Sequence, residues 1–217
     1  MNRRSIRFVF LCEGSSDQAL VPHLRELLSH CGAGEVVGTS IPFGSVRAPE
    51  RRSGHAIARK INAVLSTDSA FDLVFIHRDA NTVGPIARAD EIKRFMDEVR
   101  LEPKAPDWIP VIPVTATEAW LLLDETAIRR VAGNPGGRQP LQLPRPAQVE
   151  NVSDPKEMLR TALANASGKQ GRRLSKVRNN FGRQRRILLE QLPVGGALEQ
   201  VPAWRQLKQN VSAFVRT

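Results

Sequence analysis

The chain has no tyrosine, only two cysteines among 217 residues, and no long apolar run. Each shortage removes a class of function. Without a phenol, a covalent tyrosyl–nucleic-acid intermediate is chemically impossible. Cys12 and Cys31 are too few for a disulfide framework or a four-cysteine zinc site, and the Cys/His set of a zinc-binding module is missing. Both cysteines read as small core residues. No apolar stretch approaches the roughly 20 residues that a membrane-spanning helix needs, so no membrane association is expected. The run Phe8–Cys12 is too short for the apolar core of a secretory leader and ends at Glu13, which points to a cytoplasmic protein. There is no G-x-x-x-x-G-K-[ST] loop, so this chain carries no P-loop ATPase. Gly32-Ala33-Gly34 with Gly38 imitates a dinucleotide-binding loop, but it follows a helix and precedes a strand, and it reads as a turn.

Acidic residues are scarce in one place. Residues 1–133 hold 17 basic and 17 acidic side chains, a net charge of zero. Residues 134–217 hold 15 basic and 5 acidic, which accounts for the whole excess of +10. Between Glu157 and Glu190 there is no carboxylate at all, only Arg160, Lys169, Arg172, Arg173, Lys176, Arg178, Arg183, Arg185 and Arg186. Such a block favours a polyanionic partner. Phe181 is its single aromatic residue, so phosphate contact is expected rather than extensive base stacking. A solvated helix face is the competing explanation.

What is present reads as alternating strands and helices. Apolar runs predict strands over 6–12, 35–41, 72–77 and 108–114, with Pro110 and Pro113 placing the last at a sheet edge. Helical spacing predicts helices over 16–30, 54–65, 86–99 and 117–131. That alternation implies an α/β fold with a mostly parallel sheet flanked by helices. Gly133 to Pro146 is rich in glycine and proline. The expected organisation is therefore an α/β domain over 1–132, a linker or long loop over 133–150, and a basic helical C-terminal region over 151–217 with helices near 155–167, 172–192 and 202–215.

Two strands deliver carboxylates to their C-terminal ends: Cys12-Glu13-Gly14-Ser15-Ser16-Asp17 after the first, and His77-Arg78-Asp79-Ala80-Asn81 after the third. In an open α/β sheet that edge is where ligands bind. Hard oxygen donors there suit Mg²⁺ or Mn²⁺, which can lower the pKa of a water and polarise a phosphodiester. Capping explains some acids equally well. Ser15 and Gln18 have capping-box spacing with Asp17 in the first turn, Thr115 and Glu118 repeat that spacing, and Asp154-Pro155-Lys156-Glu157 reads as a helix start alone. Glu13 and Asp79 have no such role. His77 reads as a hydrogen-bonded strand end, and His55 beside Arg51 and Arg52 as a solvated helix end or a phosphate contact. Trp120 reads as core.

Glu13-Gly14 after one strand and Asp79-x-Asn81 after a later one resemble the Toprim domain of primases, topoisomerases and OLD-type nucleases. Glu118-Ala119-Trp120-Leu121-Leu122-Leu123-Asp124 is similar to the small Toprim-related proteins of the DUF4276 type. The resemblance covers residues 6–125 and implies acid–base or metal-binding work for Glu13 and Mg²⁺ binding for Asp79. It places Asp17 at the position of a further acidic residue and Glu118 near the same edge. Asn81 departs from the family's Asp-x-Asp pair, since an amide oxygen brings no charge. The resemblance implies a metal-dependent nuclease in defence or repair, with Mg²⁺ or Mn²⁺ as cofactor, nucleic acid as substrate and a separate ATPase as partner. Lys169, Arg172, Arg173, Lys176, Arg178, Arg183, Arg185 and Arg186 would contact the nucleic acid. The alternatives are a non-catalytic nucleic-acid-binding adaptor with a degenerate site, which Asn81 favours, and a metal-dependent phosphohydrolase acting on nucleotides.

Overall fold

The computed structural model describes residues 3–47, 55–68, 70–101 and 105–217. Arg51, Arg52 and the expected helix start at Gly54 lie outside the described residues. The chain packs as two compact units, residues 1–112 with 206–217, and residues 113–205.

The first unit is built on four parallel strands, β1 (Ile6–Cys12), β2 (Val36–Pro42), β3 (Leu73–His77) and β4 (Asp107–Val111), in the order β2-β1-β3-β4. The α/β expectation therefore holds, and the proline-bearing β4 is an edge strand. The apolar runs of β1 and β3 are central strands buried on both faces, which is why they lack polar alternation. Val9, Leu11, Val74 and Ile76 face one side, where α2 (Ala56–Thr67) and α3 (Pro85–Glu98) cover them with Ile61, Leu65, Ile92 and Phe95. Phe8, Phe10, Phe75 and His77 alternate onto the other side, with Phe8 and Phe75 edge to face at 5.2 Å. Gly38 sits opposite Phe8 in the β1–β2 register, and a Cβ there would come within 2.2 Å of the ring. Glycine at this point is a packing requirement rather than a turn signal.

The order has a functional consequence. From β1 the chain passes through α1 (Val21–His30) to β2 on one side, while α2 and α3 carry it across to β3 and β4 on the other. The direction of winding reverses between β1 and β3, and in such sheets ligands bind at the carboxyl ends of the strands flanking the reversal.

The second unit is helical: α4 (Glu118–Leu121), α5 (Glu125–Val131), α6 (Pro155–Ser167), α7 (Gly171–Asn179), α8 (Phe181–Glu190) and the beginning of α9 (Pro202–Arg216). α4 and α5, which the sequence groups with the strands, pack against α6 and α8. The Gly/Pro-rich loop is tied down: the Asn134 side chain donates to the Ala166 carbonyl at 2.9 Å and Arg129 to the Gln139 carbonyl at 2.7 Å. Trp120 is buried as expected, edge to face with Trp204 at 5.5 Å.

Three expected helices are divided. The first begins as a 3₁₀ segment, Ser15–Leu20, before α1. The helix expected over 117–131 breaks at Asp124, whose Oδ1 accepts the Ala127 N–H at 2.8 Å and restarts the chain as α5. The helix expected over 172–192 is α7 and α8, separated at Asn180. The start at Asp154 is as read, with Oδ1 accepting from the Glu157 N–H at 2.9 Å.

Candidate functional site

β1 and β3 bring Glu13, Asp17, His77, Arg78 and Asp79 together at the switch point. His77 ends β3 and is 1 % exposed. Its Nδ1 lies 3.7 Å from Asp17 Oδ2, and its Nε2 lies 3.4 Å from Asp79 Oδ1. A buried imidazole thus sits between two aspartates, one from the turn after β1 and one from the turn after β3. The Asp79 contact is not a hydrogen bond, because its buried Oδ1 has no hydrogen-bond donor among the described residues. Such an oxygen is costly to bury and is open to a cation or a proton donor.

Asp17 has a local role as well. Its Oδ2 accepts the Gly14 N–H at 3.0 Å, and its own N–H donates to the Gly14 carbonyl at 3.2 Å. The capping box expected at Ser15 and Gln18 is displaced by one residue, to Gly14 and Asp17. Gln18 instead donates to Ser40 Oγ on β2 at 3.1 Å. The pairing expected for Thr115 and Glu118 is also absent: Thr115 Oγ1 is buried without a hydrogen-bond partner among the described residues.

The edge is electronegative, and Cys12 registers it. Burial, then the charges of Asp17 and Glu13, push the Cys12 thiol from 9.0 up to about 12. The thiol stays protonated and donates to the Gly14 carbonyl at 3.3 Å. Opposing this field is Arg78, which sequence reading passed over. Its Nε donates to Glu13 Oε1 at 2.5 Å, while its Nη1 is buried with no hydrogen-bond partner among the described residues. An arginine directly before the acidic residue was the available signal.

Asn81 sits in the left-handed region at φ 47 and is exposed. Asparagine tolerates that conformation better than most residues, which gives it a backbone reason to be there. Glu118 belongs to the second unit, where it is 5 % exposed and accepts from Arg185 Nε at 2.8 Å. That ion pair occupies both residues, so Arg185 is withdrawn from the phosphate-contacting set and Glu118 carries a charge partner rather than a free carboxylate. His55 caps α2 by accepting from the Ile57 N–H at 3.2 Å and stacks on Phe95 at 4.3 Å, a structural role.

Among the described residues no three His, Cys, Asp or Glu side chains cluster tightly enough to enclose a metal ion as they stand. A hydrated Mg²⁺ needs only one or two carboxylates, with water and phosphate completing its shell. Asp79, with an unbonded buried oxygen, and Glu13 are the carboxylates that would be called on for it.

The basic segment is laid out over α7 and α8. Lys169, Arg172, Arg173, Lys176, Arg178 and Arg183 are exposed and form no ion pair with a described residue. Arg186 is exposed but pairs with Glu190 at 2.8 Å. No helix among the described residues is long and apolar enough to cross a membrane. No curated protein matches the chain, and no solved structure matches it. The family model for DUF4276, a domain of unknown function, matches residues 12–192. That span takes in both carboxylate turns, the Glu118–Asp124 segment and the whole basic block, and the chain belongs to the DUF4276 family.

Proposed function

We propose that the carboxyl edge of β1 and β3 is the active site of a Toprim-like, metal-dependent phosphodiesterase acting on nucleic acid, with α7 and α8 supplying phosphate contacts. The observation that carries this reading is the convergence of Glu13, Asp17 and Asp79 at the winding reversal, with one Asp79 oxygen buried and lacking a donor. Glu13 and Asp79 would hold Mg²⁺ or Mn²⁺. The ion would supply Lewis acidity and an activated water. His77, between Asp17 and Asp79, backs the site from the end of β3. Arg78 brings a guanidinium with a buried, unbonded N–H to the same edge, a donor suited to a phosphate oxygen. A role in defence or repair, with a separate ATPase, belongs to this reading.

The purified protein should nick plasmid or cut single strands with Mn²⁺ or Mg²⁺. Glu13→Gln and Asp79→Asn should each lower the rate by at least about 100-fold, since each removes charge from a two-carboxylate site. A wild type inert with both metals would reject the enzyme.

A second reading has its own support. Arg78 already neutralises Glu13, and Asn81 brings no charge. Together they favour a nucleic-acid-binding adaptor that keeps the fold without the chemistry. Asn81→Asp separates the two readings. Activity gained only in this variant identifies a disarmed site.

A further inference from the structure

The second unit contains a groove that neither the family nor the carboxylate site accounts for. It has two sections, one of about 350 Å³ between α6, α7 and α8, and one of about 270 Å³ between α6, the start of α7 and the loop at Gln139. Both sections are lined by Ala164, Asn165 and Arg178, which makes Arg178 and Asn165 the joint between them. The larger lies within the range of about 300–1,000 Å³ typical of small-ligand sites.

The lining is cationic and rich in amides. Arg160 and Arg178 border the larger section, and Lys169, Arg178, Gln139 and Gln170 the smaller. The single carboxylate of the lining, Glu157, faces Arg160 at 3.8 Å. Arg178 forms no ion pair with a described residue. The Arg160 guanidinium lies over the Phe181 ring, 4.6 Å from its centroid, so a flat cationic surface is fixed at the wall. Nucleic-acid sites use guanidinium planes to stack unpaired bases and side-chain amides to meet their edges. A duplex is too wide to enter either section. An unpaired nucleotide is not.

We infer that this groove binds a short single-stranded segment of nucleic acid, one nucleotide in each section, with Arg178 on the phosphate that joins them. The inference rests on the nucleic-acid reading above and refines it. Duplex contact would fall to the outward residues Arg172, Arg173 and Lys176, and strand selection to Arg178 and Asn165.

The test uses the full chain in EDTA, so that it is independent of cleavage and of the metal site. Fluorescein-labelled oligo(dT) and oligo(rU) decamers and a labelled 20-base-pair duplex are titrated against wild type, Arg178→Ala and Asn165→Asp. Both positions are exposed, and circular dichroism and Tm verify the fold. The expected result is a loss of about tenfold or more for the single strands with less than about threefold for the duplex. Arg172→Ser with Arg173→Ser should weaken both probes together. In competition, the dinucleotide pTpT should displace oligo(dT) at lower concentration than dTMP. Equal losses on single strand and duplex, or none on the single strand, would overturn the assignment. So would dTMP competing as well as pTpT, since the joining phosphate would then be unread.

Discussion

At the scale of single residues, the proposed metal site would set a divalent ion against a cation already in place. Glu13 faces two claimants, the guanidinium of Arg78 and any divalent ion. The arginine is tethered beside it on Oε1, so its positive charge opposes any ion that uses that carboxylate. Removing the guanidinium should therefore favour the ion. In Arg78→Met the stem still fills space, and the buried unbonded Nη1 disappears along with its cost. Mn²⁺ affinity measured by calorimetry should rise about tenfold, equivalent to about 1.4 kcal/mol. Affinity unchanged in this variant would remove Glu13 from the ligand set. Cleavage by the same variant reports separately on whether the guanidinium serves the phosphate: tighter metal with slower cutting is the outcome expected if it does.

At the scale of elements, the sequence carried the strands better than the helices, for a physical reason. β1 and β3 are buried on both faces, so their apolar runs are uninterrupted and end sharply at Glu13 and Arg78. Helix breaks depend on one side chain turning back to the main chain. Asp124 lies inside the helix expected over 117–131, yet its bond to the Ala127 N–H divides α4 from α5. Asp17 takes the role expected of Gln18 because Gly14 offers its backbone as the cap partner, which needs no side-chain signal. The carboxylates at the strand ends were legible from position alone. The Glu118–Arg185 pair was not, because its partners are 67 residues apart and the basic block looked uniformly solvent-directed. This pair joins α4 to α8, with side-chain exposures of 7 % and 11 %. Breaking it leaves one buried charge, at a cost of about 3–5 kcal/mol. Arg185→Met and Glu118→Gln should each lower stability by that order in urea titrations, and the double variant by less than their sum. Strict additivity would show that the two side chains do not depend on one another.

At the scale of the whole chain, charge is partitioned by neutralisation as well as by count. In the first unit four arginines are consumed internally: Arg4 by Asp72, Arg7 by Asp68, Arg78 by Glu13, and Arg88 by Glu91. In the basic segment, Arg160, Arg185 and Arg186 are consumed as well, by Glu157, Glu118 and Glu190. That leaves Lys169, Arg172, Arg173, Lys176, Arg178 and Arg183 exposed with no ion pair to a described residue. Cations already paired release few counterions when a polyanion arrives, whereas unpaired ones contribute fully to the salt dependence. The distinction gives a quantitative expectation. Arg172, Arg173, Lys176 and Arg183 changed together to Ser should flatten the slope of log affinity against log salt by about 3 units for a single strand, at about 0.7 per phosphate contact. Arg186→Ser, which also removes a cation but a paired one, should change the slope by far less. Anisotropy titrations between 50 and 200 mM salt would measure both. If the fourfold variant keeps the wild-type slope, the segment is a solvated face and the polyanion binds elsewhere. If Arg186→Ser flattens the slope as much as each of the four does on average, formal charge alone sets the affinity and the ion-pair pattern has no part in it.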